Sequence, residues 1–294
     1  MSQSNTATRS AAAEDWPIPV IGLFSELNDH LLVLLRDLAP DDWQRPTVCS
    51  EWSVKDIASH LLDGNIRRLS AHRDGYTPPQ ASPAINSQAD LVAYLTRLNA
   101  EWTAATRRIS PQVLIGLLDL TGPAVASFFA TLDPYGPALY PVGWAGEAMS
   151  QNWFDVAREY TERWHHQRQI IDAVGRPSPI DTHRLYHVVL DTFMRALPST
   201  FQEVRAGDGA LLRVTIAGDA GGDWFLQEKD HRWELLRRAT GSPRACVTIG
   251  QDTAWRLFTK RMDRRTALAR FADIQLEGDT ELGGRVLEMV SIMA

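Results

Sequence analysis

The 294-residue chain has only two cysteines, Cys49 and Cys246, too distant in sequence to form a local zinc or redox motif. So few thiols suit a reducing cytoplasm, which is the expected location. Cys49 itself reads as a small buried residue. No run of lysine or arginine occurs: 30 basic residues are interspersed with 36 acidic ones, for a net charge of −6. That gives no basic footprint for nucleic acid. Apolar runs such as LLVLL and LIGLL fall far short of the ~20 residues that a membrane span needs. The opening MSQSNTATRSAAAEDWP has no basic segment followed by an apolar one, so it reads as a loose tail and not as a secretory signal. Internal repeats and low-complexity blocks are also missing.

What is present is ordinary globular composition, 44% hydrophobic and 22% charged. At roughly 100–200 residues per domain, two domains are expected, each long enough to bury a core. The first reads as helices. Ile21, Phe24, Leu27, Leu31, Leu35 and Leu38 recur at helical spacing. A second helix opens at Ser53, a proline-rich loop spans 74–86, and a third helix runs from about Ser87 to Ile109. A shorter helix follows Pro111. The connection 132–146 is rich in proline and glycine, and a last helix covers about 151–174. After 180 the pattern changes. A helix over 182–197 precedes period-two runs at 211–217, 223–228, 232–237 and 244–250, read as an antiparallel meander. Helical segments follow over 251–270, then a short strand IQLEG and a last helix over 280–293. The expected architecture is α plus α+β: a helical bundle over 16–178 and a small α+β domain over 181–294.

The chemistry-bearing residues sit on two helices. Ser53 and Asp56 form an S-x-x-D capping signal, so the second helix starts at Val54. At ~100° per residue, Val54, Ile57, Ala58, Leu61 and Leu62 share a stripe, with His60 at its border. Gly64 lies one turn above His60, and Arg67 a further turn along. On the last helix of the bundle, Trp153, Val156, Tyr160, Trp164, Ile170, Ile171 and Val174 form the stripe. Glu162 and His166, four apart, are neighbours at its edge. A carboxylate and an imidazole one turn apart can share one cation. A histidine from another helix would complete the open three-ligand arrangement of catalytic zinc. Against this stands the plain reading, since a border histidine is usually structural and a Glu–His pair is common on surface helices. Glu162 and His165 also have the i,i+3 spacing of di-iron bundles, but His165 is expected to point to solvent. His30 is a rival ligand. His72, His183, His187 and His231 have no partner at useful spacing.

The stretch DDWQRPTVCSEWSVKDIASHL (41–61) resembles the W-x(n)-P-T-x-C-x-x-W-[ST]-V-x-D-[IV]-x-x-H-L signature of the mycothiol-dependent maleylpyruvate isomerase family, a branch of the DinB-like metal-binding four-helix bundles. AREYTERWHHQRQIIDAVG (157–175) is similar to that family's E-x-x-x-H helix. The resemblance implies a divalent metal, zinc first, held by His60, Glu162 and His166. The segment after 180 is similar to sterol carrier proteins, with FMRALP (193–198) at its start and strand, helix, helix, strand, helix in order. Residues 111–150 look longer than the plain isomerase pattern. They are expected near the metal end of the last helix.

If the resemblance holds, the partners are small molecules: mycothiol or another low-molecular-weight thiol, and an electrophilic or dicarboxylate substrate. Addition of an activated thiolate to a double bond, rotation and elimination would isomerise cis to trans; one-way addition would be an S-transfer. Arg67 is the candidate for a substrate carboxylate, ahead of Arg68. Asp56 is a candidate to orient the His60 ring, or is only the capping residue of its helix. Two other functions compete: a metal-dependent hydrolase using a bound water, and a non-enzymatic module that binds metal or an apolar ligand. Two nitrogens and a carboxylate also suit iron, nickel or manganese. The sequence carries no signal for oligomeric state.

Overall fold

The computed structural model of the chain describes residues 17–49, 51–77, 85–260 and 262–292. The expected N-terminal tail, the middle of the 74–86 loop and the end of the last expected helix lie outside these residues.

Five helices come first: α1 (Phe24–Arg36), α2 (Val54–Arg67), α3 (Gln88–Thr106), α4 (Pro111–Phe129) and α5 (Asn152–Val174). Side-chain caps start three of them, with Ser53, Ser87 and Ser110 each accepting from the amide three residues on. Gly175, in the left-handed region at φ 67°, closes α5. The helix α4 spans 19 residues and continues through Pro123, so the expected shorter helix is corrected. Pro123 and Asp119, whose carbonyl it deprives of a donor, both occupy exposed positions, where water can serve that carbonyl. The same helix corrects the reading of apolar runs. With Asp119 as its one charge, Pro111–Phe129 is long and apolar enough to cross a membrane by length and composition. Here it buries Leu114, Leu118, Val125 and Phe129 and packs against α1 and α2.

The four-helix core is α1, α2, α4 and α5; α3 packs chiefly on α2. The tie is polar as well as apolar: Trp102 Nε1 donates to the Ser59 carbonyl at 2.8 Å, and the Ser59 and Thr106 hydroxyls are 2.5 Å apart. The expected stripes are buried in α2 and, apart from half-buried Val174, in α5. In the first stripe Ile21 is exposed.

Then follow α6 (His183–Met194), a single turn α7 (Leu197–Thr200), β1 (Leu211–Ala217), β2 (Gly222–Lys229), β3 (Arg232–Leu236), β4 (Ala245–Gly250), α8 (Gln251–Phe258), α9 (Arg264–Arg270), β5 (Gln275–Gly278) and α10 (Thr280–Gly284). The sheet order is β3-β2-β1-β4-β5. β1, β2 and β3 form the expected meander, but β4 lies parallel to β1, with Val214 opposite Val247. Period-two alternation reports which face a side chain takes and is blind to strand direction. The last expected helix stops early: α10 ends in Gly283 and Gly284, a 3-10 turn covers Arg285–Glu288, and Met289 is extended. Two adjacent glycines weaken a helix at that point.

The two parts meet along α5. Trp164 stacks on Tyr186 of α6 at 4.1 Å and donates to the Ile180 carbonyl. Tyr186 in turn donates to the Gln251 carbonyl. Arg256 of α8 grips Asp172 at 2.6 and 3.2 Å.

Candidate functional site

The N-terminus of α2 fixes the position of His60. Ser53 and Asp56 cap it reciprocally: Asp56 Oδ2 accepts from Ser53 N at 3.1 Å and from Ser53 Oγ at 2.8 Å. Of the two readings of Asp56, the bonds are those of the capping residue, and none joins it to His60. The orphan amide of the first turn claims the carboxylate, and His60 Nδ1 is buried with no hydrogen-bond partner. Arg67 pairs with Asp63 one turn back at 3.0 Å. Its charge reaches His60 only through space. Burial, then the charges of His166 and Arg67, hold His60 well below the usual histidine range. Its imidazole is therefore neutral, with a lone pair free.

From α5, His166 meets it. The two rings are 4.7 Å apart, nearly perpendicular. Trp52, just ahead of α2, lies 4.8 Å from His60 and 6.0 Å from His166. Glu162 Oε2 stands 3.4 Å from His166 Nε2. A Cβ added at Gly64 would meet nothing within 4 Å, so open space borders α2 one turn beyond His60. His30 takes no part in these contacts. The structure thus brings His60, Glu162 and His166 together.

Sequence reasoning missed a second set of residues here. Gln169 is buried; its Oε1 is 2.9 Å from His166 Nδ1 and its Nε2 is 2.7 Å from His165 Nε2. The same Nε2 reaches Cys49 Sγ at 3.4 Å. His165 does not face solvent: it is 2% exposed, against Trp255 of α8. The expectation treated α5 as having one buried stripe, but the second half of the chain buries its opposite side. Cys49 is half-buried and adjoins the site, so it is not a remote core residue. The signal was available, since Gln169 stands three and four residues after the two histidines. Spacing also corrects the reading of His183 and His187. They are one turn apart on α6 and their rings stack at 4.5 Å.

At the other end of α2, Arg68 is buried among acids. It bonds Asp155 at 2.7 and 2.8 Å and Glu159 at 2.8 Å, under the ring of Tyr140 at 5.0 Å. Arg68 is thus spent on a structural cluster. Tyr140 belongs to the 132–146 connection, part of the 111–150 region that was expected near the metal end of α5. Instead that connection binds the first turn of α5, through Asn152 N on the Gly136 carbonyl and Trp153 N on the Pro134 carbonyl. That is ~20 Å from His166 along the helix.

The family model described as the mycothiol maleylpyruvate isomerase N-terminal domain matches residues 24–171. The chain belongs to this family. The match spans α1 to nearly the end of α5, so it contains His60, Glu162 and His166. A crystal structure titled as the mycothiol-dependent maleylpyruvate isomerase is similar at 14% identity, TM-score 0.52, over 86% of this chain and 93% of that one. A histidine-to-alanine mutant of that enzyme is similar at 14% identity, TM-score 0.51, over 84% and 91%. These likenesses concern the fold. A ubiquinone synthesis protein, UbiJ-SCP2, matches 36% of this chain and 89% of its own at 19% identity and TM-score 0.24, too low to carry the sterol-carrier expectation. No curated protein matches.

For a member of the mycothiol maleylpyruvate isomerase family, a divalent metal is the implied group. The residues fit it in kind: an unpartnered buried Nδ1 on His60, and a His166 whose Nε2 faces a carboxylate while Nδ1 is already bonded. They are neighbours without being closed around one point. Among the described residues no group of three or more His, Cys, Asp or Glu side chains is set to hold a metal ion.

Proposed function

We propose that this chain is a cytoplasmic enzyme that uses a low-molecular-weight thiol, mycothiol first, at a divalent metal held by His60, Glu162 and His166. It would isomerise a small unsaturated diacid of the maleylpyruvate kind, or transfer the thiol to a related electrophile. The observation that carries the reading is the meeting of His60 from α2 with the Glu162–His166 pair from α5, inside the segment that matches the isomerase family model. A bound divalent ion would supply the positive charge that lowers a thiol's pKa to give the nucleophile.

The chain's own residues do the rest. Burial keeps His60 neutral, so its lone pair is available as a ligand at neutral pH. Glu162, with 29% of its side chain exposed, contributes a negative charge at the edge of the site. Trp52 covers both imidazoles and sheds water from that side. Gly64 leaves the neighbouring surface of α2 open for a small ligand. In this proposal the helical part, 16–178, supplies the ligands, and the part over 181–294 closes against α5. Its limits Trp16 and Ala294 lie outside the described residues.

The test is elemental analysis of protein purified without a metal-binding tag, followed by a mycothiol-dependent isomerisation assay on maleylpyruvate. One equivalent of zinc in the wild type, lost in both His60→Ala and Glu162→Ala, is expected, together with activity that needs both thiol and metal. Metal content unchanged by both substitutions would sink the site.

A further inference from the structure

The amide of Gln169 joins His166 to His165 and Cys49, and it has two sides. Oε1 can only accept; Nε2 can only donate. With Oε1 on His166 Nδ1 at 2.9 Å, that nitrogen must carry the proton. In the neutral ring this leaves the lone pair on His166 Nε2, the atom 3.4 Å from Glu162 Oε2. With Nε2 at 2.7 Å from His165 Nε2 and 3.4 Å from Cys49 Sγ, both amide hydrogens have an acceptor. Turning the amide would exchange donor for acceptor at all three contacts, so the tautomers of His165 and His166 are tied to its orientation. The opposite orientation would make His166 Nδ1 an acceptor and put a proton on Nε2, facing Glu162 and closed to a metal.

The geometry points to Gln169 as the positioning residue that sets the tautomer of His166, with His165 and Cys49 as the anchors that aim its amide. This rests on the reading of His166 as a metal ligand. It adds a role for three residues which that reading does not use. The arrangement has a cost: a His165 that accepts at Nε2 carries its proton on Nδ1, and that atom is buried with no partner. A buried donor left unpaired is unfavourable, so the network holds only if aiming Gln169 outweighs it. An amide orienter also differs from a carboxylate one. It fixes the ring without adding negative charge, and so leaves the ligand less basic.

The experiment uses full-length protein, 15N-labelled and metal-free. Long-range 1H–15N correlation of the imidazoles reads each tautomer, with His166 assigned by signal loss in His166→Gln. Zinc affinity is read separately, by competition with a chromophoric chelator. The expected wild-type result is His166 protonated at Nδ1. Gln169→Leu loses that single tautomer and binds zinc about 10–100-fold more weakly. Gln169→Glu, which keeps an acceptor for His166 and loses both donors, keeps the tautomer and loses less affinity than Gln169→Leu. A merely structural role would leave the tautomer unchanged in folded Gln169→Leu. A wild-type His166 protonated at Nε2 overturns the proposal, as does an unchanged tautomer in Gln169→Leu. A wild-type Nδ1 tautomer in a protein that binds no zinc supports the Gln169 assignment and overturns the metal reading instead.

Discussion

Replacing Arg68 with methionine tests how α2 is held to α5. Arg68 is 4% exposed at its side chain and Asp155 is 1% exposed, so their pairing is a buried one. Glu159 also binds Arg163 at 2.9 Å, and Arg158 reaches both acids. Removing one member of a buried ion pair costs ~3–5 kcal/mol, because the remaining charge stays buried. Here Arg158 still serves Asp155, which places the loss near the lower end, ~3 kcal/mol. For a chain of this size that is about 6 °C in Tm. Arg68→Lys should fall between, since a single ammonium cannot span both carboxylates. The pH dependence carries a sign. Burial would raise Glu159, but Arg68, Arg163 and Arg158 outweigh it and hold the carboxyl well below its usual range. A depressed folded-state pKa gives stability that is present above the unfolded value, near ~4.3, and lost as pH falls through the folded one. Without Arg68 the depression shrinks, so the variant should lose less stability than wild type on going from pH 5 to pH 3. Urea melts followed by tryptophan fluorescence at each pH measure both effects. A loss below ~1 kcal/mol at pH 7, with an unchanged acid limb, would refute the buried-pair reasoning.

Two further outcomes follow from the same geometry. Gly64→Ala meets no atom within 4 Å, so it should stabilise α2 by ~0.5–1 kcal/mol; a destabilised variant in urea melts would show that the space beside His60 is not free. Arg256→Ala removes the grip on Asp172 and the stack on Trp255 at 4.4 Å. Allowing for partial exposure it should cost ~1 kcal/mol, with a difference in Tm from wild type that narrows in high salt; a salt-independent loss would assign the effect to packing.

The elements were legible where burial came from one direction. The stripe of α2 repeats at helical spacing and its cap is reciprocal, so its start at Val54 could be read to the residue. His60, Glu162 and His166 could be singled out as candidates because each lies at the edge of a stripe, and the fold makes them neighbours. His165 and Gln169 were missed because α5 is covered twice, by the bundle and by α8, and one-sided amphipathicity cannot express that. Strand direction was missed for a related reason: Val214 and Val247 alternate identically whether their strands run parallel or antiparallel. The helix after Pro111 was expected to be shorter, but it continues through Pro123, where exposure removes most of the cost of a lost hydrogen bond.

The loop before α2 links these observations to the division of labour between the two parts. It carries Cys49 and Trp52 and is bonded within itself: Thr47 N donates to the Trp52 carbonyl, Trp52 N to the Cys49 carbonyl, and the Thr47 hydroxyl joins the Trp52 carbonyl and Cys49 N. Beyond the Gln169–Cys49 contact, a tie comes from the second part, where Lys260 Nζ donates to the Val48 carbonyl at 3.1 Å. Trp52 lies beside His60 and His166, and Cys49 bonds Gln169, so the Lys260 bond joins the second part to a loop that borders the candidate site. Lys260→Met isolates that link. Its stability cost should be small, within ~1 kcal/mol, because the bond is exposed. Amide hydrogen exchange at Thr47 and Trp52 should nevertheless quicken, while exchange in the middle of α2 stays at the wild-type rate. Local opening of this kind is governed by the loop's own contacts and not by global unfolding. Unchanged exchange at both amides would mean that the loop is held by its own bonds and by the first part, and that the Lys260 link contributes nothing to its order.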